Sequence, residues 1–197
     1  MSQLLSSRSD FQKLKVECKS ILNVNKRLPL NPFQGLGWAV SILEFESFLS
    51  GRFAVTLKNL ASESSDSELN LLMVEPPADE YRAHYGVYPA AIINKDCIVD
   101  DWWSLISNST DHERVSSIHD VSRVVTVFGS SLEWAIWAER GVGLAIIGRK
   151  ESGNSWRDAE GVYFSPEEAL YNVVALNYRN LEVSKEFAEA FRQSFGA

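Results

Sequence analysis

Apolar and polar positions change their period several times along this chain, and the clearest stretch is SSLEWAIWAERGVGLAIIGR, Ser130 to Arg149. Trp134–Ala138 and Leu144–Gly148 are rich in β-formers and flank Glu139-Arg140-Gly141-Val142-Gly143, which predicts a hairpin with a glycine-bearing turn. Alternation places Trp134, Ile136 and Ala138 on one face and Ala135 and Trp137 on the other. Both faces are apolar and bulky, so the segment is predicted to be a central strand pair covered on both sides.

Upstream, Ser9 and Gln12 read as a capping box. Phe11, Leu14, Cys18, Ile21 and Leu22 then fall on one helical stripe, which predicts a helix to about Lys26 with Lys13, Lys15 and Lys19 off that stripe. RLPLNPFQGLG is a loop by its prolines and glycines. Trp38–Phe48 fits strand and helix equally. The spacing of Phe53, Leu57, Leu60 and Ala61 predicts a helix, Ser62–Ser67 a polar turn, and Leu69–Val74 a buried strand stopped by Pro76-Pro77. PPADEYRAHYGVYP is predicted as an ordered aromatic loop. Ala90–Ile93 and Cys97-Ile98-Val99, joined by Asn94-Lys95-Asp96, are predicted as a short hairpin. Ile118, Val121, Val124, Val125 and Phe128 follow helical spacing, with Gly129 suited to the helix end.

After a polar loop from Arg149 to Glu160, Val162–Phe164 suits a short edge strand. Ser165-Pro166-Glu167-Glu168 combines an N-cap serine, Pro at N1 and Glu at N3, a helix start. Leu170, Val173, Val174 and Asn177 continue its stripe, and Ser184 caps a last helix bearing Phe187, Ala190, Phe191 and Phe195. The order predicts one α+β domain over residues 1–197: a central, largely antiparallel sheet with helices from both chain ends packed on it.

Composition adds little to that outline. With 197 residues and 45% hydrophobic content, the chain should bury roughly 70% of its unfolded surface and needs no metal or disulfide to fold. Cys18 and Cys97 form no CxxC pair and are expected to be buried thiols. MSQLLSSRSD lacks the apolar core of a secretory signal, and no apolar run is long enough to span a membrane, so a cytoplasmic location is expected.

Charge is more informative. The net −7 is uneven: residues 1–64 carry eight Lys/Arg and five Asp/Glu, residues 65–133 carry four and twelve, and residues 134–197 carry seven and nine. If folding gathers the acidic middle third on one face, its field repels nucleic acid and favours a basic protein partner.

Chemical motifs are few. GVG and GLG are too short for a dinucleotide fingerprint, and P-loop, GxSxG, HExxH and paired CxxC patterns are absent; no cofactor is expected. Asp100, Asp101, His112 and Glu113, with Asp111 and His119 nearby, could serve a metal-dependent hydrolase, although their spacing fits no common zinc pattern. A Cys97–His dyad is a further catalytic option. Asp100-Asp101-Trp102-Trp103 sets two carboxylates beside two rings that must diverge, on a helix by about 100°. At least one ring is expected at the surface, where Trp is a frequent interface anchor. Tyr81, Tyr85 and Tyr88, interleaved with Asp79 and Glu80, make a second candidate patch. Glu139 and Arg140 at the hairpin tip are expected to pair with each other or with a partner.

The segment FGSSLEWAIWAERGVGLAIIG, Phe128 to Gly148, resembles immunity proteins of bacterial polymorphic-toxin systems, where a Phe-Gly helix end leads to a Trp-bearing strand, an acidic-Arg turn and a second apolar strand. The resemblance implies an acidic cytoplasmic inhibitor that neutralises a cognate toxin by covering its basic active-site surface, without catalysis. The residues expected to meet that partner are Asp79, Glu80, Tyr81, Asp100, Asp101 and Trp102. A metal-dependent hydrolase and a structural subunit of a larger assembly are the competing expectations.

Overall fold

Six strands form one fully antiparallel sheet in the order β1-β6-β5-β4-β2-β3 in the structure, a computed structural model that describes residues 2–108, 117–150 and 155–196. The strands are β1 (Ala39–Glu44), β2 (Glu68–Glu75), β3 (Ala90–Asn94), β4 (Val124–Gly129), β5 (Trp134–Glu139) and β6 (Leu144–Arg149). The helices are α1 (Arg8–Ile21), α2 (Phe45–Phe48), α3 (Phe53–Glu63), α4 (Ala78–Tyr85), α5 (Ile98–Ser107), α6 (Ile118–Val121), α7 (Pro166–Asn172) and α8 (Lys185–Phe195).

The expected α+β architecture is the one observed. Residues of α1, α7 and α8, from the two chain ends, share one buried cluster with Ile42, Leu72, Phe128, Ala135, Trp137 and Ile146 on one face of the sheet. On the other face α3 and α5 pack over Leu71, Val125, Val127, Trp134, Ile136 and Ile147. The predicted hairpin is β5–β6, and every residue of both strands is buried. A sheet covered on both sides needs such two-faced apolar strands. The free edges are short and partly covered, as exposed strand edges require. Leu5 hydrogen-bonds Ala90 and Tyr88 at the β3 edge, and Phe164 donates its N–H to Ile42 of β1.

Local signals explain the helix ends. Ser165, the predicted N-cap of α7, and Glu168 form a capping box, and the Ser184 hydroxyl accepts from Phe187 N at the start of α8. The stripe read as continuing α7 breaks after Asn172 and resumes as a 3-10 turn over Val174–Asn177.

Five expectations change. The first helix is capped by Ser7, not Ser9, and stops at Ile21 because Leu22 turns extended to bridge Phe33. The undecided Trp38–Phe48 stretch divides into β1 and the single turn α2. The aromatic loop is α4, whose first turn carries Asp79 and Glu80 against the helix dipole and whose end is closed by Gly86 at φ +76°. Cys97-Ile98-Val99 is not a hairpin strand. Asn94 caps a 3-10 turn that runs into α5, where Ile98, Asp101, Trp102, Leu105 and Ile106 are buried at helical spacing. Finally, the helix read over Ile118–Phe128 is the short α6 followed by strand β4. Val124, Val125, Val127 and Phe128 are apolar toward both layers, so their spacing mimics a helical stripe. Pairing with β2 and β5 and the β preference of valine decide the outcome.

Candidate docking surface around Trp103

The adjacent tryptophans of α5 point in opposite senses. Trp102 is fully buried; its indole N–H donates to the Ser50 carbonyl at 3.0 Å and its ring lies 5.9 Å from that of Phe48. Trp103 is 48% exposed. Its ring stands edge-on to His119 at 5.8 Å, and it backs onto Gly51, where an added Cβ would come within 3.4 Å of Trp103 Cβ. The pair therefore grips the Ser50-Gly51 turn between α2 and α3, one ring from inside and one from outside. Trp102, the ring expected at a partner surface, is a core anchor, and Trp103 is the ring that faces out.

The outer face of α5 carries Val99, one turn before Trp103, and the exposed carboxylate Asp100, with the exposed Asp96 on the 3-10 turn that leads into it. Among the described residues, no Lys or Arg stands within ion-pair distance of either carboxylate. Asp101 turns inward instead. Its Oδ2 accepts from Ser2 N at 2.5 Å and Ser2 Oγ at 2.7 Å, and these hydrogen bonds hold its carboxyl below the usual aspartate range. Asp101 thus secures the N-terminal segment rather than presenting charge.

The second predicted patch also comes apart. Tyr81 is buried, 4.5 Å from the Tyr85 ring, and Tyr88 stacks on Phe11 at 4.4 Å. Of the residues of that predicted patch, Asp79 and Glu80 are the exposed ones. They open α4 as it leaves β2 at its Glu75 end, whereas Asp96 and Asp100 follow β3 at the end where Asn94 pairs with Glu68. The two acidic pairs sit at opposite ends of that ladder.

Other acidic groups of the middle third bind within the protein: Glu75 to Arg27 and Arg123, Glu133 to Lys150, and Asp120 to the Ser117 hydroxyl and His119. The acidity is therefore distributed, and the outer face of α5 is where carboxylates without an ion-pair partner among the described residues meet an exposed ring. His112 and Glu113 of the hydrolase set, with Asp111, lie outside the described residues. Among the described residues, no three His, Cys, Asp or Glu side chains gather as a metal site, and no hydrogen bond joins Cys97 to His84 or His119.

The hairpin tip supports this surface from below. Glu139 and Arg140 do not pair with each other. Arg140 crosses the Phe45 ring at 4.6 Å, donates from Nη1 to Glu46 at 2.8 Å and from Nε to the Ser122 carbonyl at 2.9 Å, and donates from Nη2 to the His119 carbonyl. It joins α2 and α6 under the Trp103–His119 contact. Glu139 is buried, its Oε1 accepting from Trp137 Nε1 at 2.6 Å and from Leu28 N at 2.8 Å.

Burial raises the Glu139 carboxyl above the ordinary glutamate value, its hydrogen bonds to Trp137 and Leu28 notwithstanding. A raised value in the folded state means that folding retains a proton which the unfolded chain releases, so this group loses stability as pH climbs through that interval. Glu139→Gln keeps the accepting oxygen and removes the charge. Its melting temperature should match the wild type at low pH and exceed it increasingly as pH rises above the ordinary glutamate value toward neutrality. A wild type that instead gains on the variant over that range contradicts the assignment.

Asp66 is the polar residue that the sequence reading missed. Its partners lie 64 to 68 positions later, and its tract, Ser-Ser-Asp-Ser, differs in no local way from other polar turns. Backbone bonds from Asp66 N to Ala61 O and from Ser65 N to Ser62 O close α3, with Ser65 at φ +54°, in the Schellman pattern. This places the Asp66 carboxylate under the β4–β5 turn. There Oδ2 accepts from Trp134 Nε1 at 2.7 Å, and Oδ1 accepts from Ser131 N at 2.5 Å and Ser130 Oγ at 3.2 Å. A Cβ on Gly129 would lie 2.1 Å from Asp66 Oδ2, and one on Gly148 2.5 Å from the Phe33 ring. The distinctive residues of Phe128–Gly148 therefore serve internal contacts.

Beside the turn gripped by the tryptophans is a cleft of about 250 Å³. Ser47, Ser50, Thr56, Asp158 and Tyr163 line it, and its rim carries the Arg52–Glu160 ion pair. No family model, curated protein or solved structure matches this chain.

Proposed function

We propose that the chain is a binding protein of the immunity type, which neutralises a cognate toxin by docking the outer face of α5 against the toxin's basic surface and acts without catalysis. The observation that carries this reading is Trp103: a half-exposed indole seated on a hydrogen-bonded platform, with Val99 beside it and, on the preceding turns, two carboxylates that have no ion-pair partner among the described residues. A rigid ring supplies contact area at low entropic cost and suits the centre of an interface. Asp96 and Asp100 supply the field that draws in a cationic partner. The resemblance over Phe128–Gly148 supports the class, and its residues support the platform from within.

Of the sequence candidates, Asp100 keeps its proposed contact role. Asp101 and Trp102 position the surface instead, Tyr81 is buried in α4, and Asp79 and Glu80 belong to another part of the surface. Replacing Asp96 and Asp100 by Lys should slow association with the toxin domain roughly tenfold at low salt and flatten the salt dependence of the on-rate. Unchanged kinetics in both respects remove the α5 carboxylates from the interface. The reading expects a secreted protein with a toxin domain to be encoded beside this chain, and the functional test is co-production with that domain. The wild type should restore growth, and a neighbouring gene without a toxin, or a toxin that kills regardless, contradicts the reading.

A further inference from the structure

A second cleft lies on the opposite side of β2 from the Glu68 end, and it arises from the unequal lengths of the edge strands. β3 begins with Ala90 opposite Leu72, so Met73, Val74 and Glu75 run on past its start. The gap is walled by α1 and by the first residues of α4, and encloses about 330 Å³, the lower end of the range in which pockets hold small organic ligands.

Its floor is apolar: Val24, Leu72, Val74, Pro77 and Ala78, with the buried Phe11 ring at one side. Its rim is cationic. Lys15 and Lys19 lie one turn apart on α1, Lys15 Nζ stands 6.0 Å from the Phe11 ring centre, and among the described residues neither ammonium has an ion-pair partner. Arg27 completes the rim, fixed by bonds to the Val24 and Lys26 carbonyls and to Glu75. The amides of Gln12 and Asn25 also border the cleft, and among the described residues Asp79 is the one carboxylate lining it. In a chain of net charge −7, two lysines without an ion-pair partner among the described residues, above an apolar floor, are a local reversal of sign.

We infer that this cleft binds a small organic anion, its apolar body against Val24, Leu72 and Val74 and its acidic head between Lys15 and Lys19. The head is a carboxylate or a phosphate monoester; both present the oxygens that an ammonium pair accepts. This site is separate from the α5 surface, and the two stand or fall independently.

The test is calorimetric titration of the full chain with octanoate, octyl phosphate and octanol as probes. Saturable one-to-one binding of an anionic probe, weakened by salt, with octanol at least about tenfold weaker, supports the site. Which anionic probe binds more tightly identifies the head group. Lys15→Glu with Lys19→Glu should weaken the anion by about tenfold or more, as the loss of two partly solvated ion contacts requires. Ala78→Phe, which fills the floor, should remove all binding while the circular dichroism spectrum stays unchanged. Equal affinity for octanol and octanoate, indifference to the lysine substitutions, or absence of saturable binding at millimolar probe overturns the inference.

Discussion

Asp66→Ala is expected to destabilise the protein by roughly 3–5 kcal/mol, read as a fall in the urea midpoint at unchanged slope. The carboxylate is buried and receives the Trp134 indole N–H, the Ser131 amide and the Ser130 hydroxyl. Removing it leaves the indole and amide donors in a closed site, and each buried donor left unpaired costs about 1–3 kcal/mol. Asn at this position should be intermediate, because an amide presents one accepting oxygen and turns donors toward the other partners. Gly129→Ala should be comparably severe for a steric reason, since its Cβ would fall 2.1 Å from Asp66 Oδ2 and 2.5 Å from Trp134 Nε1. As whole domains are held by only about 5–15 kcal/mol, either change threatens folding at growth temperature. A loss below about 1 kcal/mol in Asp66→Ala would show that the β4–β5 turn is held by something else.

Trp103→Ala is expected to weaken the proposed toxin complex by at least about 2 kcal/mol, thirtyfold or more in Kd, mainly through faster dissociation. Its effect on stability should be below about 1 kcal/mol, because half of the ring already faces solvent. Trp102→Ala should do the reverse, costing roughly 3–5 kcal/mol in stability through the cavity and the lost bond to Ser50. Two neighbouring residues of one type thus separate docking from folding. A Trp103→Ala variant that binds as tightly as the wild type would remove the ring from the interface.

The contrast between these residues also shows what local pattern could and could not reveal. The β5–β6 hairpin was legible because the strands and the glycine-bearing turn are contiguous, and α7 because its cap, proline and glutamate occupy four successive positions. β4 was not, because a strand buried on both faces has no alternation to display, and its apolar run satisfied a helical template by coincidence. α4 carried its signals in the acidic first turn and in Gly86, but two prolines and three tyrosines outweighed them. In the candidate site, the WW pair and Asp100 were recognisable as unusual chemistry. Which ring faces out depends on Ser50 and Gly51, about fifty residues earlier, and on α5 being a helix at all. Asp66 and Arg140 were illegible for the same reason: their contacts join distant parts of the chain, and nothing near them in sequence records the partners.

The most direct test of the proposed docking mode is amide hydrogen exchange of the intact chain, alone and saturated with the toxin domain proposed as its partner. Binding through the outer face of α5 predicts slowed exchange in Ile98–Ser107 and in the turn between α2 and α3, with little change in α1, α7 and α8 on the opposite layer. Protection confined to that opposite layer, or no change around Trp103 in a complex shown to be fully formed, would contradict the account.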